Sequence, residues 1–331
     1  MNRLHRYAQF LCAATLLLIT AGGMVTSTGS GLAVPDWPST YGYFMFAFPL
    51  SGMVGGIFYE HGHRMIASIV GLLTIGLTVW VWRVEPRRWM RWLGVAALAT
   101  VILQGLLGGI TVLYLLPTPI SVSHAGLAQI FFCLTVSLAL CTSTGWHRDG
   151  TRDTHAPVVG DTMLLALATG LPLLVYVQII IGATMRHIGA GLAIPDFPLA
   201  FGRVVPPEWS VAIAVHFLHR AGALVTALVT LATLGHLLAH HPARRGLIGP
   251  AWLLVVLVLT QIGLGGWTVL SGRSPGVNTA HVATGALVLG TALVLGLRVN
   301  RHRFLDARRV QPPPRRPAGI AAAPAVRGAG A

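Results

Sequence analysis

Apolar residues run through this chain in long, nearly uninterrupted blocks, separated by short stretches that hold most of the arginines. Eight blocks reach the about 20 residues that a helix needs to cross a bilayer. They cover 7–27, 61–82, 92–115, 120–141, 161–183, 211–239, 247–270 and 277–299. The block at 120–141 is the most diluted, by Ser121, Ser123, His124 and Gln129. Pro117-Thr118-Pro119 breaks the helix and predicts a tight hairpin between the third and fourth blocks. The start of the chain is basic at Arg3 and Arg6 and then apolar to about Val25, which imitates a signal peptide. The apolar stretch is too long for one, and it reads as an uncleaved first span. The pattern predicts an all-α integral membrane protein with eight transmembrane helices.

The polar positions repeat. Gly31-Leu32-Ala33-Val34-Pro35-Asp36-Trp37-Pro38 returns 160 positions later as Gly191-Leu192-Ala193-Ile194-Pro195-Asp196-Phe197-Pro198. Gln104-Gly105-Leu106-Leu107-Gly108-Gly109 returns as Gln261-Ile262-Gly263-Leu264-Gly265-Gly266, and His124 returns as His281. Each copy holds four spans, an even number, so both face the same way across the membrane. This predicts two tandem four-helix bundles related by a pseudo-twofold axis along the membrane normal. The expected halves are 1–150 and 151–303, followed by a disordered Arg/Pro/Ala tail over 304–331.

Composition narrows the class. Of the 331 residues 54% are hydrophobic and only 10% charged, with mean hydropathy +0.71, which excludes an ordinary soluble domain. The formal charge is +14, and all 23 basic residues are arginine. They lie mainly in short loops and the tail, so membrane orientation accounts for them better than nucleic acid. The cysteines Cys12, Cys133 and Cys141 fall in apolar runs and predict no disulfide framework.

The candidate chemistry lies at the mouths of the even-numbered spans. Glu60-His61-Gly62-His63-Arg64 opens the second, and Glu60 and His63 share a helix face if the helix has begun by Glu60. Its copy, His216-Phe217-Leu218-His219-Arg220, keeps the second histidine and the arginine but puts His216 where Glu60 stood. His63, His124, His219 and His281 therefore sit at similar outer depth and sort into two equivalent pairs. Two imidazoles on neighbouring helices facing one cavity are what a six-coordinate haem iron needs. Gly126 and Gly285 are candidates for the close approach of a flat macrocycle. Hydrogen-bonded membrane histidines are the plain alternative. A zinc site would need Glu60 or His61 as a further ligand. Glu60 reads either as a carboxylate paired with Arg64 or as a general base or charge stabiliser beside the first cavity. Arg64 and Arg220 are expected to snorkel to head groups or to pair with haem propionates. The segments at 28–42 and 187–202 are expected to lie as amphipathic lids over the two outer cavities, and Gln104 and Gln261 to bond between helices.

On these motifs, with Thr28-Gly29-Ser30-Gly31-Leu32 and His124-Ala125-Gly126-Leu127-Ala128-Gln129 added, the chain resembles the haem A synthase family from about Tyr7 to Asn300. The resemblance implies oxidation of a ring methyl of haem O to a formyl group. It implies that His63 and His124 take the substrate haem beside Glu60, and that His219 and His281 are axial ligands of a haem b. Some members carry a cysteine pair in the first outer loop; Val34 and Thr40 stand there, and Ile194 and Ala200 in the second copy. The expected partners are haem O, handed over by a haem O synthase, an electron donor or acceptor and the lipid bilayer. A homo-oligomer is compatible with this set, and nucleic acid is not part of it. The same four histidines would also serve a di-haem b-type, quinol-linked electron carrier, which leaves Glu60 without a catalytic duty. A transporter with a parallel repeat fits less well, because its ionisable groups would be expected at the midplane.

Arginine placement sets the orientation. Eighteen of the 23 lie on the side of the two termini and five on the other, so both termini are expected in the cytoplasm of a bacterial cell. Reporter fusions after Arg88, Arg148, Arg244 and Phe304 should read cytoplasmic, and fusions near Pro38 and Pro206 external. An external C-terminus would remove the eight-span arrangement.

Overall fold

The computed structural model describes residues 3–147 and 160–304. The loop arginines Arg148 and Arg152, and the tail expected at 304–331 beyond Phe304, lie outside the described residues. Eight helices within them are long and apolar enough to cross a membrane. They are α1 Arg3–Ser27, α2 Gly55–Val84, α3 Arg88–Leu113, α4 Thr118–Cys141, α5 Thr162–His187, α6 Val211–His240, α7 Arg245–Leu270 and α8 Pro275–Val299. A single turn at Thr144–His147 follows α4. Each expected span falls on one of these helices. The largest shift is in α2, which begins at Gly55, so Glu60 is already well inside helix.

Local signals set the ends. Pro stands in the first turn of α4 and of α8, where its missing N–H is no loss. Asp161 caps α5 by accepting from Leu164 N (2.9 Å), and Ser210 caps α6 by accepting from Ile213 N (3.2 Å). Basic groups close several helices, as at Arg83, Arg186, His187 and Arg298, opposite the negative end of the dipole.

In the first half α1 packs on α2, α2 on α3, α3 on α4 and α4 back on α1, which makes a closed ring. The second half repeats this with α5 to α8. The halves meet through α1 with α8, α4 with α5, and α4 with α8. Exchange of the halves converts the first of these pairs into the second and leaves the third unchanged, the pattern a twofold relation requires. Accordingly α4 and α8 are the most buried spans.

The aliphatic core lies at one end of each ring. Leu4, Ala8 and Leu11 of α1 meet Leu77 and Val81 of α2, Met90 of α3 and Leu138 of α4. Leu164 and Ala168 of α5 meet Leu237, Leu247, Ala251 and Leu295 in the same way. These are the starts of odd helices and the ends of even ones. The other end of each ring is left for polar groups. Burial of apolar area does little to hold such helices together in lipid, which is as apolar as leucine, so close packing on small residues takes over.

Gly296 of α8 is one such contact: a Cβ there would lie 2.6 Å from the Ala168 carbonyl oxygen of α5, which is backbone and cannot turn aside. Gly296→Val is expected to cost about 1–3 kcal/mol by overpacking, read as a lower melting temperature in detergent. Gly249→Val is the control, since a Cβ at Gly249 meets nothing within 4 Å. Equal losses in the two variants would reject the contact as a stabilising one.

Candidate functional site

Outside the rings, each half carries a loop tied down in the same way. Asp36 accepts from Tyr41 N (2.7 Å), Gly42 N (2.9 Å) and the Ser39 hydroxyl (2.5 Å). Asp196 accepts from Phe201 N and Gly202 N, both at 2.8 Å. These bonds close turns in which Tyr41, Gly42, Phe201 and Gly202 have positive φ, and both Trp37-Pro38 and Phe197-Pro198 are cis. Partial desolvation of Asp36 is outweighed by its three donors, which hold its carboxyl at about 2. The Gly202 and Phe201 N–H groups lower Asp196 likewise. The anchor at Asp36 is therefore complete above its unfolded value of about 4 and is lost only as the pH falls through about 2.

The loops are latched to the helix mouths. Arg64 donates to the carbonyls of Val34 (2.8 Å), Asp36 (2.7 Å) and Ser39 (3.1 Å), and to Glu60 Oε1 (2.7 Å). Val34 N donates to Glu60 Oε2 (2.8 Å). In the second half Arg220 donates to the carbonyls of Ile194 (3.1 Å), Asp196 (2.7 Å) and Leu199 (2.8 Å), and through Nε to His216 Nε2 (3.1 Å). Ile194 N donates to His216 Nδ1 (3.3 Å). His216 thus occupies both of the acceptor positions that Glu60 fills. The two oxygens of a carboxylate accept from both donors at once; a neutral imidazole has one acceptor nitrogen. The hydrogen bonds that Arg64 and Arg220 make go to the loops and to these acceptors, so a propionate would have to share them.

The four histidines sit beneath the loops. His63 on α2 and His124 on α4 are near enough to interact electrostatically. The rings of His219 on α6 and His281 on α8 have centres 6.3 Å apart. Imidazoles that close could hold one haem iron between them. The helices of each pair are diagonal across the ring, not neighbours as the sequence reading had it, so the rings converge on the bundle axis.

Each imidazole leans on a glycine of an adjacent helix. A Cβ at Gly22 would lie 3.0 Å from His63 Cε1, and one at Gly182 would lie 2.8 Å from His219 Cε1. At Gly108 and Gly265 the corresponding distances to His124 and His281 are both 3.2 Å. These four glycines make the room that the sequence reading gave to Gly126 and Gly285. Gly126 packs instead on Ile180 and Tyr176, and Gly285 on Gln261.

The Gln-Gly-x-x-Gly-Gly motif now has a residue-by-residue account. Gln104 donates to the His124 carbonyl (2.9 Å) and its amide nitrogen lies 3.3 Å from His124 Nε2. Gln261 meets His281 Nε2 at 3.2 Å. Gly108 and Gly265 clear the imidazoles. The next glycines admit the loop aromatics, since a Cβ at Gly109 would lie 2.5 Å from Trp37 and one at Gly266 2.6 Å from Phe197. Trp37 and Phe197 are therefore plugs inserted from the loops into the bundles.

Buried nitrogen atoms fit a ligand here. Nδ1 of His63, of His124 and of His281 is buried with no hydrogen-bond partner, and so are the Oε1 atoms of Gln104 and Gln261. Orphans of this kind are rare in a finished interior and mark a site that holds something else. Glu60 and His61 do not join His63 as ligands, because Glu60 is held by Val34 and Arg64, and His61 Nδ1 bonds Thr40 Oγ1 (3.0 Å). Val34, Thr40, Ile194 and Ala200, which stand where some relatives have cysteine, are buried packing positions.

One residue of the site escaped the sequence reading. Gln178 of α5 donates to the His219 carbonyl (2.6 Å) and lies 3.1 Å from His219 Nδ1. The repeat offset of 160 puts Leu18 at the matching place beside His63. Its signal was present: Gln178 is a polar residue inside the apolar run of the fifth span, four residues before Gly182.

A family model described as cytochrome oxidase assembly protein matches residues 5–293. A protein of Shouchella clausii named "Heme A synthase" is 29% identical over 91% of this chain and 98% of its own length. Proteins of the same name from Symbiobacterium thermophilum and Halalkalibacterium halodurans are 30% and 28% identical, over 76% and 87% of this chain and 81% and 94% of their own. With the duplicated bundle, the paired histidines and a match over most of its length, the chain belongs to the cytochrome oxidase assembly protein family.

Proposed function

We propose that this chain is a haem A synthase, which oxidises a ring methyl of haem O to a formyl group within a bacterial plasma membrane. The observation that carries the reading is the pair of matched cradles, each with two histidines converging on a bundle axis and a glycine behind each ring. Two such cradles suit two macrocycles. The first half, to about residue 150, would take haem O between His63 and His124. The second half, from about residue 151, would hold a b-type haem between His219 and His281. A haem bound there supplies one-electron transfer.

The chain's own residues then divide the work. Gln178 and Gln261 orient His219 and His281, and Gln104 orients His124. Trp37 and Phe197, held by Asp36, Asp196 and the two arginines, close the outer ends against water. Glu60 serves the first cradle as an oriented anion. Both of its oxygens accept from donors, which supports stabilisation of positive charge beside the reacting ring over uptake of a proton as a free base. Arg64 and Arg220 act first as loop clamps, with propionate contact as a shared second role. The electron partner and a haem O synthase that delivers the substrate would act from the membrane, with both termini of this chain in the cytoplasm.

His219→Ala or His281→Ala should deplete haem B in the purified protein, while His63→Ala or His124→Ala should mainly disturb the substrate haem. Full haem content and unchanged low-spin spectra in all four variants would reject the assignment. Extraction of haem B alone from the wild type would favour an electron carrier over a synthase.

Glu60 is tested by giving it the residue of the other half. Glu60→His should keep one of the two latch bonds, to Val34 N or to Arg64, and keep haem binding, yet lower haem A formation on the order of 100-fold. Glu60→Gln should behave alike, and Glu60→Asp should retain part of the activity. The readout is mass analysis of haems extracted from cells supplied with haem O. Wild-type haem A in Glu60→His would leave Glu60 as a latch only.

A further inference from the structure

At the end of the second bundle away from the paired histidines lies a cluster that the proposed reaction does not use. Asp161 Oδ2 sits 2.8 Å from His236 Nε2 and 2.7 Å from His241 Nε2. The three come from different places: Asp161 is the cap of α5, His236 lies in the last turns of α6, and His241 just follows that helix. All are partly buried, and among the described residues they are the one group of three such side chains whose ligand atoms lie within 4.8 Å of one another. His236 is 17 residues beyond His219 on α6, about 26 Å along the helix. The cluster is therefore separate from the haem cradles.

We infer that Asp161, His236 and His241 form a binding site for a divalent transition metal of the zinc class, which clips the start of α5 to the end of α6. Two imidazole nitrogens and one carboxylate oxygen are a borderline donor set, suited to zinc, nickel or copper and poor for calcium or magnesium. The carboxylate is oriented for the task, because its other oxygen, Oδ1, is fixed by Leu164 N at 2.9 Å. That bond, with help from the two imidazoles, also keeps the Asp161 carboxyl below the usual carboxylate range, so it is an anion at neutral pH. In the metal-free arrangement each Nε2 carries the proton that bridges to Oδ2. Metal binding would move each imidazole to its Nδ1–H tautomer and release no net charge from the ring. Around one zinc, with bonds of about 2.0–2.1 Å, tetrahedral ligand atoms lie on the order of 3.3 Å apart, so the present spacing has to widen by about half an ångström. Water completes the coordination. His240 is not a ligand: it stacks on His236 with ring centres 4.3 Å apart, and its Nδ1 lies 3.1 Å from the His236 carbonyl.

The test uses the full-length, haem-loaded protein, purified without a polyhistidine tag, equilibrated with zinc chloride and passed through a desalting column with a weak chelator. Elemental analysis should find one zinc per chain beside the haem iron, and zinc should raise the melting temperature. In the variant carrying His236→Ala and His241→Ala, bound zinc should fall at least about tenfold with the haem spectrum unchanged. Asp161→Asn, which keeps the cap oxygen, supplies the same comparison if the double variant does not accumulate. Absence of zinc in the wild type, or equal zinc in wild type and variants, would overturn the site and leave the cluster as a hydrogen-bonded tether.

Discussion

An imidazole placed in the apolar interior of a membrane bundle is costly unless its nitrogens find partners, and four of them lie here in the half of two helix rings away from the termini. Much of the remaining structure follows from accommodating them. The helices that carry them are diagonal, so the rings need space at the axis, and that space comes from glycines on the helices between. Glutamine amides reach across to three of the four. Two aliphatic clusters lie at the opposite end, where the starts of odd helices and the ends of even helices close on one another.

The loops at this end answer the same constraint from beyond the rings. Their backbone carbonyls are gathered by Arg64 and Arg220, and their aromatics are driven into gaps left by Gly109 and Gly266. Buried Arg64 tolerates this position because it is paired with Glu60 and its two terminal nitrogens make four hydrogen bonds. The loop, the ion pair and the cradle are thus one unit: removal of the carboxylate at 60 leaves Val34 N and Arg64 with a lost acceptor.

The two halves differ in the latch and beside one histidine. The first has a carboxylate in the latch and an apolar Leu18 beside its α2 histidine. The second has an imidazole in the latch and Gln178 beside its α6 histidine. A hydrogen bond to a histidine fixes its tautomer and orientation, which in the proposed reading would suit a resident cofactor. The first half keeps such a bond at His124, from Gln104, and sets Glu60 as a fixed anion at its rim.

The sequence alone determined the eight spans, the duplication and the candidate histidines, because each rests on a property readable in one dimension. Hydrophobic length decides a span, repetition decides a duplication, and an ionisable residue in an apolar run stands out whatever surrounds it. It also placed Glu60 and His63 on one helix, since three residues of spacing settle that. It could not decide which glycines face which rings. Gly108 and Gly126 look alike in the chain, and only the rotation of α3 and α4 against their neighbours turns the first toward His124 and the second toward Tyr176. Nor could it show that His216 takes over the latch of Glu60, that Gln178 serves His219, or that Asp161 meets His236 and His241 across 75 and 80 positions. Those relations depend on how helices far apart in the chain are rotated and docked, which tertiary packing alone fixes.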